Sequence, residues 1–485
     1  MKKILAAVLL TAVLCLNLFA AVSCGGGGGY ASGVISVPDF EVPEVGYDGS
    51  AVTIRFYHTM GQNLRDVLDQ YIVKFNEIYP NITIEHDQVG SYDDVRETIS
   101  TEIAVGGQPN IAYCYPDHVA LYNRAYATIP LDTLINSKIE VTREDGTTEI
   151  LGLTDEQIAD FIDGYWEEGK QFGDGKMYTL PFSKSTEVLY YNKTFFDKHN
   201  LSVPTTWDEM ETLMKQIKEI DKDCIPLGYD SESNWFITMC EQQNSGYTTA
   251  DRSETGSNFL FNNEENQAFV KRFAEWYKQG LVTTQKIYGA YTSGLFIAAD
   301  TEGVQNSYMS IGSSAGATHQ RPDKVNGEYP FEVGIATIPQ LDKTNPKVIS
   351  QGPSLCIFDD KSNPQEVVAS WLFVKYLTTN VEFQSAFSIA SGYVPVLESV
   401  TENEKYAKFL ESADGGDFVA ALSAKVCAEQ VNAYYTSPAF VGSSTARDEV
   451  GALLRICMVY EGTDLEAYIK KSFEEAVRNC EYMAR

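Results

Sequence analysis

From residue 51 the chain alternates between two hydrophobic periodicities. Residues 51–57 read as a strand, with Ile54 and Phe56 on one face. Leu64, Val67, Leu68, Tyr71, Ile72, Phe75 and Ile78 then recur at helical spacing, and Pro80 ends that helix. Residues 82–85 alternate again as a strand. Ser91 opens a second helix, with Asp94 placed to complete a capping box. Residues 111–115 form an apolar strand, and 119–126 read as helical. This βαβαβ order predicts a mainly parallel sheet covered by helices.

A second group of elements begins near Tyr178. Residues 188–192 form a strand, and Thr206 caps a helix whose third position is Glu209. Trp207, Met210, Leu213, Met214 and Ile217 make the apolar stripe of that helix. Phe269, Phe273 and Trp276 mark another helix. Pro364 starts one carrying Val367, Val368, Trp371, Leu372, Val374 and Leu377. The last strong helix spans residues 464–480. These aromatic and methionine stripes read as core. No repeat of 20–50 residues and no sustained heptad interrupts the pattern.

The first residues follow a different rule. Lys2 and Lys3 precede an apolar run over residues 4–22, the form of a secretory signal. No basic stop-transfer cluster follows it. Cys24 and five glycines do, which resembles a bacterial lipobox with Ala21 where Leu is usual. Cys24 is therefore the expected lipidation site after removal of residues 1–23. Residues 24–50 are rich in Gly, Pro, Ser and acidic side chains and read as a flexible tether. The remaining cysteines, Cys114, Cys224, Cys240, Cys356, Cys427, Cys457 and Cys480, are widely spaced and odd in number. Buried free thiols fit this better than a disulfide framework or a zinc ribbon, with a Cys224–Cys240 bridge as the alternative.

The 485 residues carry 37 basic and 67 acidic side chains, a net charge of −30. Such a chain lacks the electrostatic footprint of nucleic-acid binding or of a basic membrane patch. It does not preclude a local cationic site. Catalytic motifs are missing. The five histidines, His58, His86, His118, His199 and His319, are isolated, without metal-ligand spacing. There is no GxSxG elbow and no Walker A loop. A pair of glycosidase carboxylates is compatible with the composition, but no pattern nominates one.

Several ordered runs carry a resemblance. Phe56-Tyr57-His58-Thr59-Met60-Gly61 comes first, then Gly90-Ser91-Tyr92-Asp93-Asp94 and Pro109-Asn110-Ile111. The most specific extends from Pro181-Phe182-Ser183-Lys184-Ser185-Thr186-Glu187 through Val188-Leu189-Tyr190-Tyr191-Asn192-Lys193 to Pro204-Thr205-Thr206-Trp207. Ser310-Ile311-Gly312-Ser313-Ser314-Ala315-Gly316 and Gly392-Tyr393-Val394-Pro395-Val396 complete the series. From Thr53 onward the chain resembles bacterial extracellular solute-binding proteins of family 1, and within them the receptors for glycerol 3-phosphate. The resemblance implies an α/β fold of the two-lobed, type II periplasmic-binding-protein class, each lobe a mainly parallel sheet flanked by helices. It implies segments at 51–182 (lobe 1), 183–308 (lobe 2), 309–352 (return to lobe 1) and 353–485 (mainly lobe 2). It implies capture of a sugar, polyol or glycerol-phosphate solute for an ABC permease and its ATPase, with no catalytic residue, metal or cofactor. The expected place is the cell surface or periplasm, as a monomer held by its lipid. A lipid-anchored glycosidase or adhesin is the alternative.

Carried over by motif, the ligand contacts are Tyr92, Ser185, Ser313, Gly352, Tyr393 and Arg447. The chain departs from the receptor pattern at Pro116, where an acidic residue is usual and Asp117 stands next, and at Lys184 and Glu187. The βα pattern adds its own candidates. Ligands of open parallel sheets sit beyond strand C-termini and near helix N-termini. Tyr57, Tyr115 and Tyr92 are expected to face one opening. Tyr92, Trp235 and Tyr393 are candidate platforms for sugar C–H faces, with Asp117 for hydroxyls. Gly312-Ser313-Ser314 offers a candidate anion nest and Arg447 a bidentate partner for phosphate.

Overall fold

The computed structural model describes residues 33–253, 255–299, 304–359, 362–412 and 418–484. The signal segment 1–23, Cys24 and the start of the expected tether lie outside the described residues. The first alternating run becomes β1 (Val52–His58), parallel to β2 (Ile82–Gln88) on one side and β3 (Ile111–Cys114) on the other. Ile54, Phe56 and His58 share one buried face, and Tyr57 points to the other, as the two-residue period requires. Between these strands run α1 (Gln62–Ile78) and α2 (Tyr92–Ile103). Ser91 and Asp94 close the expected capping box at the start of α2. Directly after β3, α3 (Pro116–Tyr122) starts with Pro116 in its first turn, where no amide donor is needed. A hairpin of β4 (Glu140–Thr142) and β5 (Thr148–Ile150) and a short helix, α4 (Asp163–Glu168), lead to β6 (Leu180–Pro181).

From β6 the chain crosses into β7 (Ser185–Asn192), the spine of a second sheet. β8 (Leu227–Tyr229), β9 (Val282–Thr284) and β10 (Met309–Ser313) are mutually parallel, and β10 lies antiparallel to β7. β11 (Val333–Ala336) and β12 (Val348–Gln351) line the opposite edge of β7. Helices α5 (Trp207–Ile220), α6 (Glu232–Gln243) and α7 (Glu264–Lys278) belong to this half. The chain then returns through β13 (Ser354–Ile357), which inserts antiparallel between β3 and β6. α8 (Pro364–Thr379) and α9 (Val381–Ser391) pack against β1 and α1. Only from α10 (Phe418–Gln430) does the chain rejoin the second half. There β14 (Tyr434–Tyr435) pairs with β12, and α11 (Ser443–Met458) and α12 (Leu465–Met483) pack against α6 and α7.

Two mixed sheets thus make two α/β lobes. The parallel order holds within β2-β1-β3 and β10-β8-β9. The crossing strands β7 and β13 run antiparallel to their neighbours, and β12 runs antiparallel to β7 but parallel to β14, because a chain that crosses and comes back reverses direction. The segment boundaries differ from the expectation. Residues 309–352 stay in the second sheet, since buried Met309 and Ile311 register against Tyr191 and Leu189 of β7. The return falls at Gly352, and β13, α8 and α9 serve the first lobe. The tether also differs. Ile35, Val37 and Tyr47 are buried, so residues 33–47 pack as part of the folded body. All seven described cysteines are free and buried, Cys224 and Cys240 among them.

The crossings lie side by side. Backbone amides of Phe182 and Ser183 both donate to the Pro353 carbonyl at 3.2 Å. Gly352 has φ +92°, and a Cβ there would sit 2.3 Å from the Ser183 carbonyl oxygen. Only glycine tolerates that backbone and that approach.

Candidate functional site

At the junction of the lobes lies a cavity of about 40 Å³, lined among others by Tyr115, Asp117, Glu168, Tyr247, Ser437 and Arg447. Tyr115 and Asp117 open α3 in lobe 1, and Arg447 projects from the first turns of α11 in lobe 2. Arg447 Nε stands 3.6 Å from Asp117 Oδ2, and its Nη1 donates to Asn234 Oδ1 at 2.7 Å. The ion pair therefore joins the two lobes. Burial works against the charge of Arg447, but Asp117, Tyr247 and Tyr115 outweigh it and its pKa rises. Tyr247 Oη, Ser437 Oγ and Asp117 Oδ2 are buried and have no hydrogen-bond partner among the described residues. Buried polar groups are normally satisfied, so the unpaired donors and acceptor converge here on the small cavity at the junction.

A tyrosine cluster adjoins the charged pole. Tyr92 and Tyr115 rings meet at 4.8 Å, and Tyr92 stacks on Tyr113 at 6.3 Å with planes 13° apart. The Tyr92 hydroxyl lies 3.4 Å from that of Tyr393. Burial is the leading cause that raises the pKa of both Tyr92 and Tyr393, so both stay neutral hydroxyls. Tyr115 belongs to both groups and links ring faces to the cavity. The helix start at Ser91-Tyr92 and the end of β3 converge as strand and helix polarity predicts.

The serines have other duties. Ser313 Oγ donates to Ser185 Oγ at 3.3 Å where β10 meets β7. Ser313 also caps the following turn, accepting from the Ala315 amide at 3.3 Å. Ser314 Oγ accepts from the Thr186 amide at 3.2 Å, and its carbonyl accepts from Ser423 Oγ at 3.2 Å. The expected anion nest at Gly312-Ser313-Ser314 has a carboxylate beside it. A Cβ on Gly312 would lie 2.8 Å from Asp230 Oδ2, so a carboxylate faces this turn. Asp230 is held there by the Thr292 amide and hydroxyl at 2.6 and 2.8 Å.

Two sequence candidates fall outside the cluster. Tyr57 lies on the opposite face of β1, donating to Glu102 at 3.2 Å and accepting from Arg55 at 3.3 Å. Trp235 is fully buried, stacked between Tyr229 at 4.6 Å and Phe273 at 3.9 Å. It is a core aromatic. Gly352 stands at the crossing, where its carbonyl accepts from Lys184 Nζ at 3.3 Å. The geometry accounts for this glycine by close packing alone.

Sequence reasoning missed an adjoining ion pair. Lys184 Nζ donates to Glu168 Oε1 at 2.6 Å and to Ser354 Oγ at 3.0 Å, with both charged side chains nearly or fully buried. Lys184 stood out as a departure in its run, but nothing around Glu168 marked it. Asn234 was missed as well, and Glu187, like Lys184, stood out only as a departure in its run. Glu187 is buried on β7 opposite Ser313 and accepts from the Tyr229 hydroxyl. No local motif signals Asn234, which acts only because α6 lies beside α11.

The model of the bacterial extracellular solute-binding protein family matches residues 70–411. The sn-glycerol-3-phosphate-binding periplasmic protein UgpB of Shigella flexneri is 23% identical over 390 residues, 76% of this chain and 80% of that protein. Among solved structures, UgpB from Mycobacterium tuberculosis in complex with glycerophosphocholine superposes with a TM-score of 0.67 at 16% identity, over 90% of this chain and 98% of that one. Maltose-bound MalE3 of T. maritima gives 0.66 at 16% identity, over 89% of this chain and 100% of that one. The structural likeness establishes the two-lobed fold.

Proposed function

We propose that this chain, which belongs to the bacterial extracellular solute-binding protein family, captures a sugar or glycerophosphate-type solute between its lobes and presents it to an ABC permease. The observation that carries the reading is the Asp117–Arg447 pair at the lobe junction, beside a tyrosine cluster. Arg447 supplies planar donors for a phosphate or a hydroxyl oxygen, Asp117 accepts from a hydroxyl, and Tyr92, Tyr115 and Tyr393 cover C–H faces. Ser185 and Ser313 border the same junction. The named ligands of the relatives, glycerol 3-phosphate, glycerophosphocholine and maltose, are the solutes to test first.

Binding works by differential affinity. A solute that touches both lobes favours the closed state by the contacts it makes only there. No covalent step is needed, and the chain is read as a receptor and not an enzyme. We also read Cys24 as lipidated after cleavage of residues 1–23, which holds a monomer at the membrane surface outside the cytoplasm. No helix among the described residues is long and apolar enough to cross a membrane.

Calorimetry with the three solutes on the wild type and on Arg447→Ala tests the site. Loss of the guanidinium is expected to weaken a phosphorylated solute at least about tenfold and a neutral sugar much less, since hydrogen bonds to charged groups are the stronger. Equal losses for both defeat the phosphate reading. Binding unchanged for every solute moves the site elsewhere.

A further inference from the structure

The segment expected to be a loose tether is built into both lobes. Val37 donates its amide to the Tyr178 hydroxyl at 3.0 Å and its carbonyl accepts from Lys176 Nζ at 2.7 Å. Lys176 also pairs with Asp39 at 2.8 Å. Thr133 Oγ1 donates to the Phe40 carbonyl at 2.9 Å. All these partners belong to lobe 1. The other end of the arm reaches lobe 2, where the Val441 amide donates to the Gly33 carbonyl at 2.9 Å. Gly33, with φ +75°, lies against Asn258 and Phe440 of the same lobe.

Between these ends the arm covers the seam. The Val34 side chain packs over Gly173 of lobe 1, and Gly173 in turn faces Ala250 of lobe 2. Val37 joins an apolar cluster that holds Phe172, Tyr178 and Phe358 of lobe 1 together with Ala439 of lobe 2. Ala439 also crosses the seam through its backbone, donating to the Gln171 carbonyl at 2.8 Å. Its neighbours Ser437 and Pro438 line the cavity.

We propose that residues 33–41 form a strap that holds the lobes together, and that the strap leaves lobe 2 when the cleft opens. Rotation of the lobes moves Gly33's partners away from Val37's partners, and one continuous extended segment cannot follow both. The Val441 amide and the Ala439 amide are then released together, and Ile35 and Val37 gain solvent. The strap therefore biases the ligand-free protein toward closure. This inference does not rest on which solute is bound.

Amide hydrogen exchange and small-angle scattering on the ligand-free mature chain test it, comparing the intact arm with a deletion of residues 33–41. The reporter is the Ala439 amide, whose acceptor lies on the opposite lobe and outside the strap. Its exchange is expected to accelerate about tenfold or more, with an increased radius of gyration, while the core amides of Ile54 and Val188 keep their protection. Unchanged exchange at Ala439 with unchanged scattering overturns the proposal. If Ile54 and Val188 also lose protection, the deletion has unsettled the fold, and Lys176→Ala decides instead. That variant frees only the clamp on Val37 and Asp39. It is expected to accelerate Ala439 in the same direction, and wild-type exchange and scattering there overturn the strap.

Discussion

Glu187 is where a single side chain sets a condition on the whole protein. Burial pushes its pKa from 4.5 up to about 7, against hydrogen bonds from Tyr229 and Asn234 and the charge of Arg447, with Asp230 adding to the rise. Because the folded value lies above the unfolded one, the folded chain holds more protons between those two values. Stability from this group therefore falls as pH rises from about 4.5 to about 7, and is flat above. His58 acts in the opposite sense. Burial, with His86 and Arg65 nearby, depresses its pKa from 6.5 to about 3, so its contribution is lost as pH falls below 6.5. Glu187→Gln isolates the first effect. The variant is expected to gain on the order of 2 kcal/mol over wild type at pH 8 and little at pH 4.5, read by urea unfolding at both. An equal difference at both pH values shows that Glu187 is not the titrating group. At this scale the sequence exposed residues whose place follows from local rules. Tyr92 follows a capping Ser, and Tyr115 ends a strand. Trp235 and Tyr57 were misjudged because the facing of a lone aromatic is decided by what packs against it.

The crossing strands are the elements that join the two lobes. Lys184 lies between Gly352, Ser354 and Val394, with Glu168 as its counter-ion. A buried pair costs much desolvation, and removing one partner strands the other charge. Lys184→Met is expected to lose about 3–5 kcal/mol in chemical unfolding, and Lys184→Met with Glu168→Leu to recover most of it. If the double variant is as unstable as the single one, the pair stabilises through its hydrogen bonds to the crossing and not as mutual neutralisation. Helix starts at Ser91, Thr206 and Pro364 were legible, since a cap and the first turn are contiguous in sequence. The return at Gly352 was not. β10, β11 and β12 carry the same alternation whichever sheet they join, and only their pairing with β7 assigns them.

Over the whole molecule, α11 ties the lobes by two opposed ion pairs. Its Arg447 meets Asp117 of α3, and its Asp448 meets Arg96 of α2 at 3.3 Å, with Ser444 accepting from the same guanidinium at 2.7 Å. Asp448 is more than half exposed and water screens the second pair, so its worth is on the order of 1 kcal/mol, about fivefold in the open-to-closed ratio. Arg96→Ala is expected to enlarge the ligand-free protein in scattering at low salt and to narrow the difference at high salt. Identical curves for wild type and variant at low salt remove this pair from closure. The net charge of −30 excluded nucleic acid, yet it says nothing of these few paired charges. Local periodicity, caps and polarity by themselves determined the α/β elements, the buried stripes and the direction in which strand ends and helix starts face. Those properties depend on residues within a turn or two of one another. Tertiary structure alone decided the partner of each strand, the Lys184–Glu168 pair, the Asp117–Arg447 contact and the course of residues 33–41 over the seam. Each joins positions far apart in sequence, and nothing local constrains them until the lobes pack.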